Sequence, residues 1–392
     1  MNSNEPPQIL ISAGEASGDM YAARLATALQ QRTGAKIFGM GGPRMREAGV
    51  ELIVDAKEIA VLGITEVIHK VPTVLKILRR LRNEAARRKP SLAILVDSPG
   101  TNLPLAKKLH RLGLPVVYFI APQIWAWRPW RIRAMKRNLA RVLVIFPFED
   151  GIYKDAGIPV DFVGHPLVDV VRPSRSRAEF LAAHGLDASR PVVALLPGSR
   201  PTEIGLNLPD MLDGCEALAR DLKPQFVMAA APGISEQFFQ RYMRPGLAIT
   251  RIDGEPYDVL ASADCGIVSS GTATVEAALL GTPMVVVYRV SAPSAFILRR
   301  MIRSPHLAMV NLIAGRKIVP ELIQDDFKGP RVEAEVRRLL TSAEDHDKMK
   351  RDLAEMAARL GPGGAIDRAA DILAAMLPRQ TGQATVPPGL VS

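Results

Sequence analysis

The stretch from Ala263 to Arg289 carries residue types that suit binding of a phosphorylated sugar. Its pattern predicts a short apolar strand, a tight turn, a helix and a second strand. Gly271 in the turn allows close approach of the backbone to a ligand, and the free N–H groups of the helix start at Thr272 favour an anion. Glu276, one turn into the helix, can accept hydrogen bonds from sugar hydroxyls. A nucleotide site and an ordinary, well-capped βαβ turn both explain these residues.

A second candidate phosphate site follows the predicted strand Val192–Leu196. Gly198 and Ser199 lie at a strand-to-helix turn and offer backbone N–H groups, and Arg200 adds a cation that can bind phosphate in a bidentate manner. Most turn arginines point into solvent. Because Arg200 directly follows a buried strand and lies beside a candidate diphosphate site, it is better explained as a phosphate ligand.

Asp97 is the candidate acid–base residue of the N-terminal half. It directly follows the apolar segment Leu92–Val96, which predicts a central buried strand. Ligands bind at the carboxyl ends of the strands in open α/β sheets, so a carboxylate at this point can act as a general base. Capping of the following helix would explain the same aspartate.

The loop after the first predicted strand, Gln8–Ser12, is rich in small and polar residues. Its sequence AGEASGD lacks the GxGxxG pattern of a dinucleotide site, and it leads into a helix. Gly14, Glu15 and Ser17 would lie above the strand ends, where they could contact a substrate. Capping of the helix by Ser17 or Asp19 is the structural alternative.

The order of the predicted elements indicates an α/β protein with two Rossmann-like halves that face a central cleft. The chain has 392 residues, which is long for one hydrophobic core, and 48% of them are apolar. We expect an N-terminal domain over residues 1–168, a C-terminal domain over 169–345, helices over 346–378 and a disordered tail over 379–392.

The scarcity of metal-binding residue types argues against a metal enzyme. Only two cysteines occur, Cys215 and Cys265, each in an apolar segment, and the six histidines show no metal-ligand spacing. The N-terminus lacks the pattern of a signal peptide, and no segment has the ~18 uninterrupted apolar residues of a membrane-spanning helix. These features predict a soluble protein of a reducing cytoplasm, with neither metal nor cofactor.

The net charge of +10 indicates an anionic partner. Basic and apolar residues share two predicted helices, over about 72–88 and 296–303, and a loop, residues 121–138, that holds all three tryptophans. Such mixtures are typical of a membrane surface, of single-stranded nucleic acid binding, or of an acyl-chain and phosphate site. A solvated basic face and packing of the tryptophans over the sheet are the structural alternatives. Because the cations surround apolar helical faces rather than a stacking groove, we expect no nucleic-acid partner.

Several sequence blocks, in order and spread over nearly the whole chain, together resemble one family. They are SAGEASGD (12–19), GMGGPRM (39–45), LGITEV (62–67), DSP..N (97–102), APQIWAWR (121–128), FPFE (146–149), VGHP (163–166), LLPGSR..EI (195–204), SGTATVEAALLGTPMVVVYR (270–289) and VNLIAGRKIVPELIQDD (310–326). The family is that of the lipid-A-disaccharide synthases, glycosyltransferases of the GT-B type. The resemblance implies a GT-B fold whose C-terminal helices pack back on the N-terminal domain.

The resemblance also implies a reaction. Diacylglucosamine is transferred, with inversion, from UDP-2,3-diacylglucosamine to the 6-hydroxyl of 2,3-diacylglucosamine 1-phosphate, which gives a β-1,6-linked disaccharide 1-phosphate and UDP. No metal is needed, and the enzyme associates peripherally with the inner face of the bacterial inner membrane, an anionic surface. The resemblance also suggests a homodimer.

The family motifs suggest a role for individual residues of this chain. Asp97 becomes the base for the acceptor hydroxyl, and Arg200 stabilises the departing UDP. The remaining matched positions become substrate contacts: Gly14, Glu15, Ser17, Asn102, Gln123, Trp125, Gly198, Ser199, Gly271, Thr272, Glu276 and Asn311.

One block departs from the family pattern. Where the family usually has DxPDFN, Gly100 and Thr101 replace the second aspartate and the phenylalanine, while Asp97 and Asn102 remain. The base is therefore kept, and a contact that could position the acceptor is lost. A UDP-N-acetylglucosamine 2-epimerase-like isomerase of the same architecture, and a non-catalytic scaffold that binds UDP-sugar or lipid, are the alternative functions.

Overall fold

A computed structural model describes residues 6–60, 67–122, 131–291 and 306–378 of the chain. The chain divides into two compact units. The first comprises Met1–Pro166 together with Gly363–Ser392, and the second comprises Leu167–Pro362. Each unit is built around its own parallel β-sheet, as the order of apolar segments predicts.

The first unit contains a seven-stranded sheet with the strand order β3-β2-β1-β4-β5-β6-β7. Its strands are β1 (Gln8–Ala13), β2 (Lys36–Gly41), β3 (Glu51–Asp55), β4 (Leu92–Val96), β5 (Val116–Phe119), β6 (Arg141–Val144) and β7 (Val160–Phe162). The described helices between them are α1 (Ala16–Thr33), α2 (Pro43–Glu47), α3 (Lys57–Ala60), α4 (Val67–Arg88), α5 (Pro99–His110), α6 (Ile132–Asn138) and α7 (Pro147–Asp155).

The central strands of this sheet are largely apolar, as is typical of a parallel sheet whose two faces are both covered. Every residue of β4 is buried, as its sequence LAILV requires. β1 pairs with β4 in parallel, so that Ser12 lies opposite Leu95 and Ala13 opposite Val96. The two strands therefore end at the same level, and the loops that follow them lie side by side.

The second unit contains a six-stranded sheet with the strand order β10-β9-β8-β11-β12-β13. Its strands are β8 (Val192–Leu196), β9 (Gln225–Ala230), β10 (Ile249–Asp253), β11 (Cys265–Ser269), β12 (Met284–Tyr288) and β13 (Glu321–Ile323). The described helices are α8 (Leu167–Val170), α9 (Arg177–Ala183), α10 (Pro201–Ala219), α11 (Glu236–Gln240), α12 (Pro256–Ala261), α13 (Thr272–Leu279), α14 (Met309–Ala314), α15 (Gly329–Thr341) and α16 (Ala343–Ala358), with a 3₁₀ turn over Gln324–Asp326.

The strand ends of the second unit are aligned in the same way as those of the first. β11 pairs with β8 and with β12, which places Val268 opposite Leu196 and Ser269 opposite Val287. The loops after β8 and β11 thus begin next to each other. They are the loops in which the sequence predicts phosphate-binding groups.

The last described helix, α17 (Ala365–Ala375), returns to the first unit and packs against α1. Arg32 of α1 donates hydrogen bonds of 2.7 Å to both Asp367 and Asp371 of α17. The return predicted for the C-terminal helices holds for α17. The preceding helix α16 belongs to the second unit, where Arg316 binds Asp352.

No helix among the described residues is both long enough and apolar enough to cross a membrane. The longest of them, α4, is amphipathic rather than uniformly apolar. Its buried positions include Ile77, Leu78 and Leu81, which pack in the core of the first unit.

Candidate active site

The backbone at Asp97 has an unusual conformation. Both Asp97 and Ser98 have positive φ angles, of 49° and 48°, a region that residues other than glycine rarely adopt. The Ser98 hydroxyl oxygen accepts a hydrogen bond of 3.2 Å from the backbone N–H of Gly14. A Cβ atom at position 14 would lie 2.9 Å from that oxygen, so glycine allows the two loops to touch. Strained residues of this kind persist where the surroundings fix them, and they cluster at functional sites.

A buried asparagine holds this strained backbone in place. Asn102 is fully buried, its amide oxygen accepts a 2.8 Å hydrogen bond from the Ser12 hydroxyl, and its amide N–H groups face three carbonyl oxygens. These belong to Ser12 (3.2 Å), Val96 (3.0 Å) and Asp97 (2.8 Å). The hydroxyl of Tyr118 donates a further 2.5 Å hydrogen bond to the Asp97 carbonyl. The polar atoms of Asn102 thus fix the backbone around Asp97, and the substrate contact expected of Asn102 stays a prediction.

The Asp97 carboxyl group lies in a poorly solvated position. The pKa of Asp97 is raised to about 6, mainly by burial and in addition by the negative charge of Glu15, while a hydrogen bond from the Ser98 backbone opposes the shift. A Cβ atom placed on Gly18 would be 3.8 Å from the Asp97 Cβ, which shows how closely the start of α1 approaches this group. A carboxylate with a pKa near neutrality suits a general base.

The other polar residues of the AGEASGD loop divide into two groups. Glu15 is exposed at the N-cap of α1 without capping it through its side chain, and Ser17 is half-buried in the first turn. Asp19, by contrast, is buried and accepts hydrogen bonds from the backbone N–H groups of Gly42, Arg44 and Met45. Asp19 therefore caps α2 rather than its own helix, so of the three polar side chains of this loop it is the one with a structural role.

The loop after β8 is organised differently from the prediction. Glu203, in the first turn of α10, accepts a 3.0 Å hydrogen bond from the backbone N–H of Ser199. One of the two amides predicted to bind phosphate is therefore occupied by a carboxylate of the same chain. Arg200 is exposed at the N-cap of α10. Burial and the negative charge of Glu203 raise the pKa of Tyr288, and the positive charge of Arg200 opposes this shift. Arg200, Glu203 and Tyr288 thus lie close together at the strand ends.

A second buried asparagine, which the sequence did not single out, fastens the strand ends of this unit. The Asn207 amide N–H groups donate to the Pro197 carbonyl (3.0 Å) and the Ser269 hydroxyl (3.2 Å), and its oxygen accepts from the Arg289 N–H (3.0 Å). The residues that follow β8, end β11 and follow β12 are thereby joined. A polar residue within an apolar helix face is the signal that could have revealed it.

The turn after β11 has the geometry that the sequence predicts. Gly271 is the N-cap of α13 with φ of 154°, and Thr272 is exposed at the first position of that helix. Glu276 is half-buried one turn later, and burial raises its pKa. The hydroxyl of Tyr257 donates a 3.4 Å hydrogen bond to the Glu276 carboxylate and orients it, a partner that sequence reasoning missed.

Asn311 is a further predicted ligand contact whose polar atoms form hydrogen bonds within the protein. It is fully buried, and its amide oxygen accepts hydrogen bonds from the N–H groups of Ile318 (2.7 Å) and Val319 (3.0 Å). Its amide N–H groups donate to the Val319 carbonyl (3.0 Å) and to Glu321 (2.6 Å). Asn311 therefore shapes the segment before β13, and its contact with a ligand stays a prediction.

Two of the predicted site residues, Gln123 and Trp125, lie outside the described residues, as does the predicted helix over 296–303. In the described parts of the chain, no cluster of histidine, cysteine, aspartate or glutamate could hold a metal ion.

The outward face of α4 combines one apolar side chain with cations. Leu75 is 51% exposed, and Lys76 and Arg79 are exposed beside it. Other cations of this helix have partners: Arg80 binds Glu58, and Arg88 binds Glu84 and Glu51. The basic face expected from the sequence is therefore partly neutralised. Among the described residues Lys76, Arg79 and Arg82 form no ion pair, so the uncompensated charge lies in the middle of the helix.

Comparisons with known proteins agree over nearly the whole chain. A family model described as lipid-A-disaccharide synthetase matches residues 9–375. A lipid-A-disaccharide synthase of Acidobacterium capsulatum is 45% identical, with 97% of this chain and 99% of the relative covered. One of Myxococcus xanthus is 44% identical over 95% of this chain and 98% of the relative.

Solved structures show the same fold at low sequence identity. The calicheamicin glycosyltransferase CalG4 superposes with a TM-score of 0.59 at 17% identity, over 95% of this chain and 98% of its own. A UDP-GlcNAc 2-epimerase from Neisseria meningitidis bound to UDP-GlcNAc superposes with a TM-score of 0.64 at 13% identity, over 93% of this chain and 99% of its own. The fold is therefore shared by glycosyltransferases and epimerases, and it does not separate the two reactions.

The position of Asp97 predicts a stability cost at neutral pH. Because its pKa is raised to about 6 in the folded protein, the stability that the protonated group provides is lost as the pH rises from about 4 through 6. We expect Asp97→Asn to match the wild type in free energy of unfolding near pH 4 and to exceed it by up to about 3 kcal/mol above pH 7. Urea denaturation across this pH range measures the difference.

Asp352 provides a control, because its pKa is shifted in the opposite direction from that of Asp97. Hydrogen bonding by Arg316 lowers the pKa of Asp352 to about 2, so its contribution is present above the unfolded pKa and is lost only at lower pH. Asp352→Asn should therefore be less stable than the wild type above about pH 4. An Asp97→Asn variant that is no more stable than the wild type at pH 7 would contradict a desolvated carboxylate.

Proposed function

The chain belongs to the lipid-A-disaccharide synthase family, and from this membership we propose which residues carry out the transfer. The chain is a glycosyltransferase that acts on a UDP-sugar and a lipid acceptor. We propose UDP-2,3-diacylglucosamine as the donor and 2,3-diacylglucosamine 1-phosphate as the acceptor. The products are the β-1,6-linked lipid A disaccharide 1-phosphate and UDP.

The environment of Asp97 is the observation that carries the proposed mechanism. Its carboxylate takes the proton of the acceptor 6-hydroxyl while the hydroxyl oxygen forms a bond to C1 of the donor sugar. The bond from C1 to the UDP oxygen breaks on the opposite face, so the configuration inverts. The raised pKa makes Asp97 a stronger base than an ordinary carboxylate and still leaves it ionised at neutral pH.

The second unit supplies groups for the donor. Arg200, exposed beside the strand ends, offsets the charge that develops on the departing diphosphate, and the free N–H groups at the start of α13 add to it. Glu276, oriented by Tyr257, accepts hydrogen bonds from the ribose hydroxyls. These roles follow from residue chemistry and from the family motifs that the chain matches.

The replacement at Gly100 and Thr101 leaves the base unaffected. Gly100 is exposed in the first turn of α5, and a Cβ atom there would meet no other atom within 4 Å. Thr101 is buried beside Asn102. We propose that the open space at Gly100 lies on the acceptor side of Asp97 and that the acceptor is positioned by other groups.

The proposed roles are tested by Asp97→Asn in an assay with both acylated sugars, in which product mass and UDP release are followed. The amide cannot accept the hydroxyl proton, so turnover should fall by about 10²–10⁴-fold while UDP affinity is retained. Wild-type turnover in the variant would remove Asp97 from the mechanism. A wild-type protein that changes the donor without a change in mass would instead be an epimerase, and one that binds UDP but changes neither sugar would be a scaffold.

The outward face of α4 supports a peripheral membrane role for the first unit. Both substrates of the proposed reaction carry acyl chains, so the enzyme must work at a membrane. We propose that Leu75 inserts into the membrane surface while Lys76 and Arg79 attract anionic headgroups. Each such cation contributes about 1 kcal/mol near an anionic surface. The paired arginines of the same helix contribute less, since their charges are already compensated.

A triple variant tests this surface. Leu75→Ser with Lys76→Ser and Arg79→Ser should weaken binding to phosphatidylglycerol-containing vesicles by about tenfold or more at low salt. The control, Lys350→Ser with Arg351→Ser on α16, removes the same two charges from exposed positions of the second unit and should bind as the wild type does. Equal binding of both variants in a vesicle sedimentation assay would contradict the proposal.

A further inference from the structure

We propose that Glu203 is a positioning residue that holds together the two loops of the second unit that face the donor diphosphate. The inference rests on the proposed function, in which this unit binds the UDP part of the donor. Glu203 has no role in the mechanism above. Its proposed role is to connect two loops rather than to contact the ligand.

Glu203 joins two different strand ends through its two carboxylate oxygens. One oxygen accepts the 3.0 Å hydrogen bond from the Ser199 N–H, in the loop after β8. The other accepts a 2.7 Å hydrogen bond from the hydroxyl of Ser269, the last residue of β11. Ser269 leads directly into the turn at Gly271 and Thr272, so a single carboxylate connects the loop that carries Arg200 with the start of α13.

The neighbouring glycine is adapted to this carboxylate. Gly198 has φ of 129°, and a Cβ atom at that position would lie 2.5 Å from Cγ and Cδ of Glu203. A side chain at position 198 would therefore push the carboxylate away from both of its donors. The close approach that the sequence suggests for a ligand at Gly198 is made by Glu203 itself.

A purely local role in helix capping does not account for this arrangement. Another glutamate of the same unit, Glu179, occupies the equivalent position in α9 and forms a capping box with Ser176. Its bonds stay within that one helix terminus. Glu203 differs because it reaches one residue further back, to Ser199, and also reaches across to a neighbouring strand.

The arrangement changes which groups are left for the phosphates. With the Ser199 N–H held by Glu203, the diphosphate is received by Arg200 and by the backbone N–H groups at the start of α13. The Glu203 carboxylate binds residues next to both groups, Ser199 beside Arg200 and Ser269 shortly before α13. The relative position of Arg200 and the start of α13 should therefore depend on Glu203. Charge opposes direct contact between Glu203 and a phosphate, so Glu203 acts through these neighbours.

The test compares three variants by calorimetric titration with UDP and by steady-state kinetics with both acylated sugars. Glu203→Ala removes both hydrogen bonds and should weaken UDP binding about tenfold or more. Glu203→Gln keeps the shape and an oxygen for the Ser199 N–H, and should recover most of that loss. Glu179→Ala removes a capping carboxylate remote from the loops, and should lower thermal stability without a change in UDP affinity.

A double-mutant cycle isolates the link between the loops. If the bond between Glu203 and Ser269 carries the effect, Ser269→Ala should weaken UDP binding, and adding it to Glu203→Ala should cost less than the sum of the two single changes. Wild-type UDP affinity in folded Glu203→Ala, or additive effects in the cycle, would overturn the inference. A wild-type protein that binds UDP but forms no disaccharide would refute the proposed function alone, since the binding comparison does not need turnover.

Discussion

The structure depends on how the backbone polar groups at the ends of the parallel strands find hydrogen-bond partners. Where adjacent strands stop, carbonyl and N–H groups lose their partners while still largely shielded from water, and leaving them unpaired is costly. In each unit a fully buried asparagine solves this problem, because its amide supplies both donors and an acceptor. Asn102 ties the ends of β1 and β4, and Asn207 ties the residues that border β8, β11 and β12.

The hydrogen bonds of these two asparagines fix the positions of the functional groups. Because Asn102 and Tyr118 hold the Asp97 carbonyl, the residue keeps a left-handed backbone and its carboxyl group stays where solvation is poor. The raised pKa of Asp97 is thus a consequence of strand-end packing. In the second unit the network of Asn207 continues through Ser269 to Glu203, and from there to the loop that carries Arg200.

Sequence patterns predicted the architecture and the location of the chemical groups because both depend on local signals. Apolar runs such as Leu92–Val96 predict buried strands, and polar residues directly after them must lie at the sheet's carboxyl edge. This reasoning located Asp97, Arg200 and Glu276. It could not tell a ligand contact from a structural one, since the partners of Asn102, at Ser12, and of Asn311, at Glu321, are set by tertiary packing.

The same limit applies to Glu203 and Asp19. Each is a helix-terminal carboxylate, for which the sequence suggests local capping, and each instead binds a different loop or helix. Local propensity identifies an acidic residue near a helix start, but only the packed structure shows which N–H groups lack a partner. The family motifs contain these residues, and the structure supplies a physical reason for them.

The central claim is that a desolvated Asp97 acts as the base, and the pH dependence of kcat/KM for disaccharide formation tests it most directly. Since kcat/KM reports the ionisation of the free enzyme, it should decline about tenfold per pH unit below pH about 6. Glu15→Gln should move this limb to lower pH, because the negative charge that helps raise the Asp97 pKa is then removed. A profile that stays flat down to about pH 4, the ordinary range of an aspartate, would contradict the account.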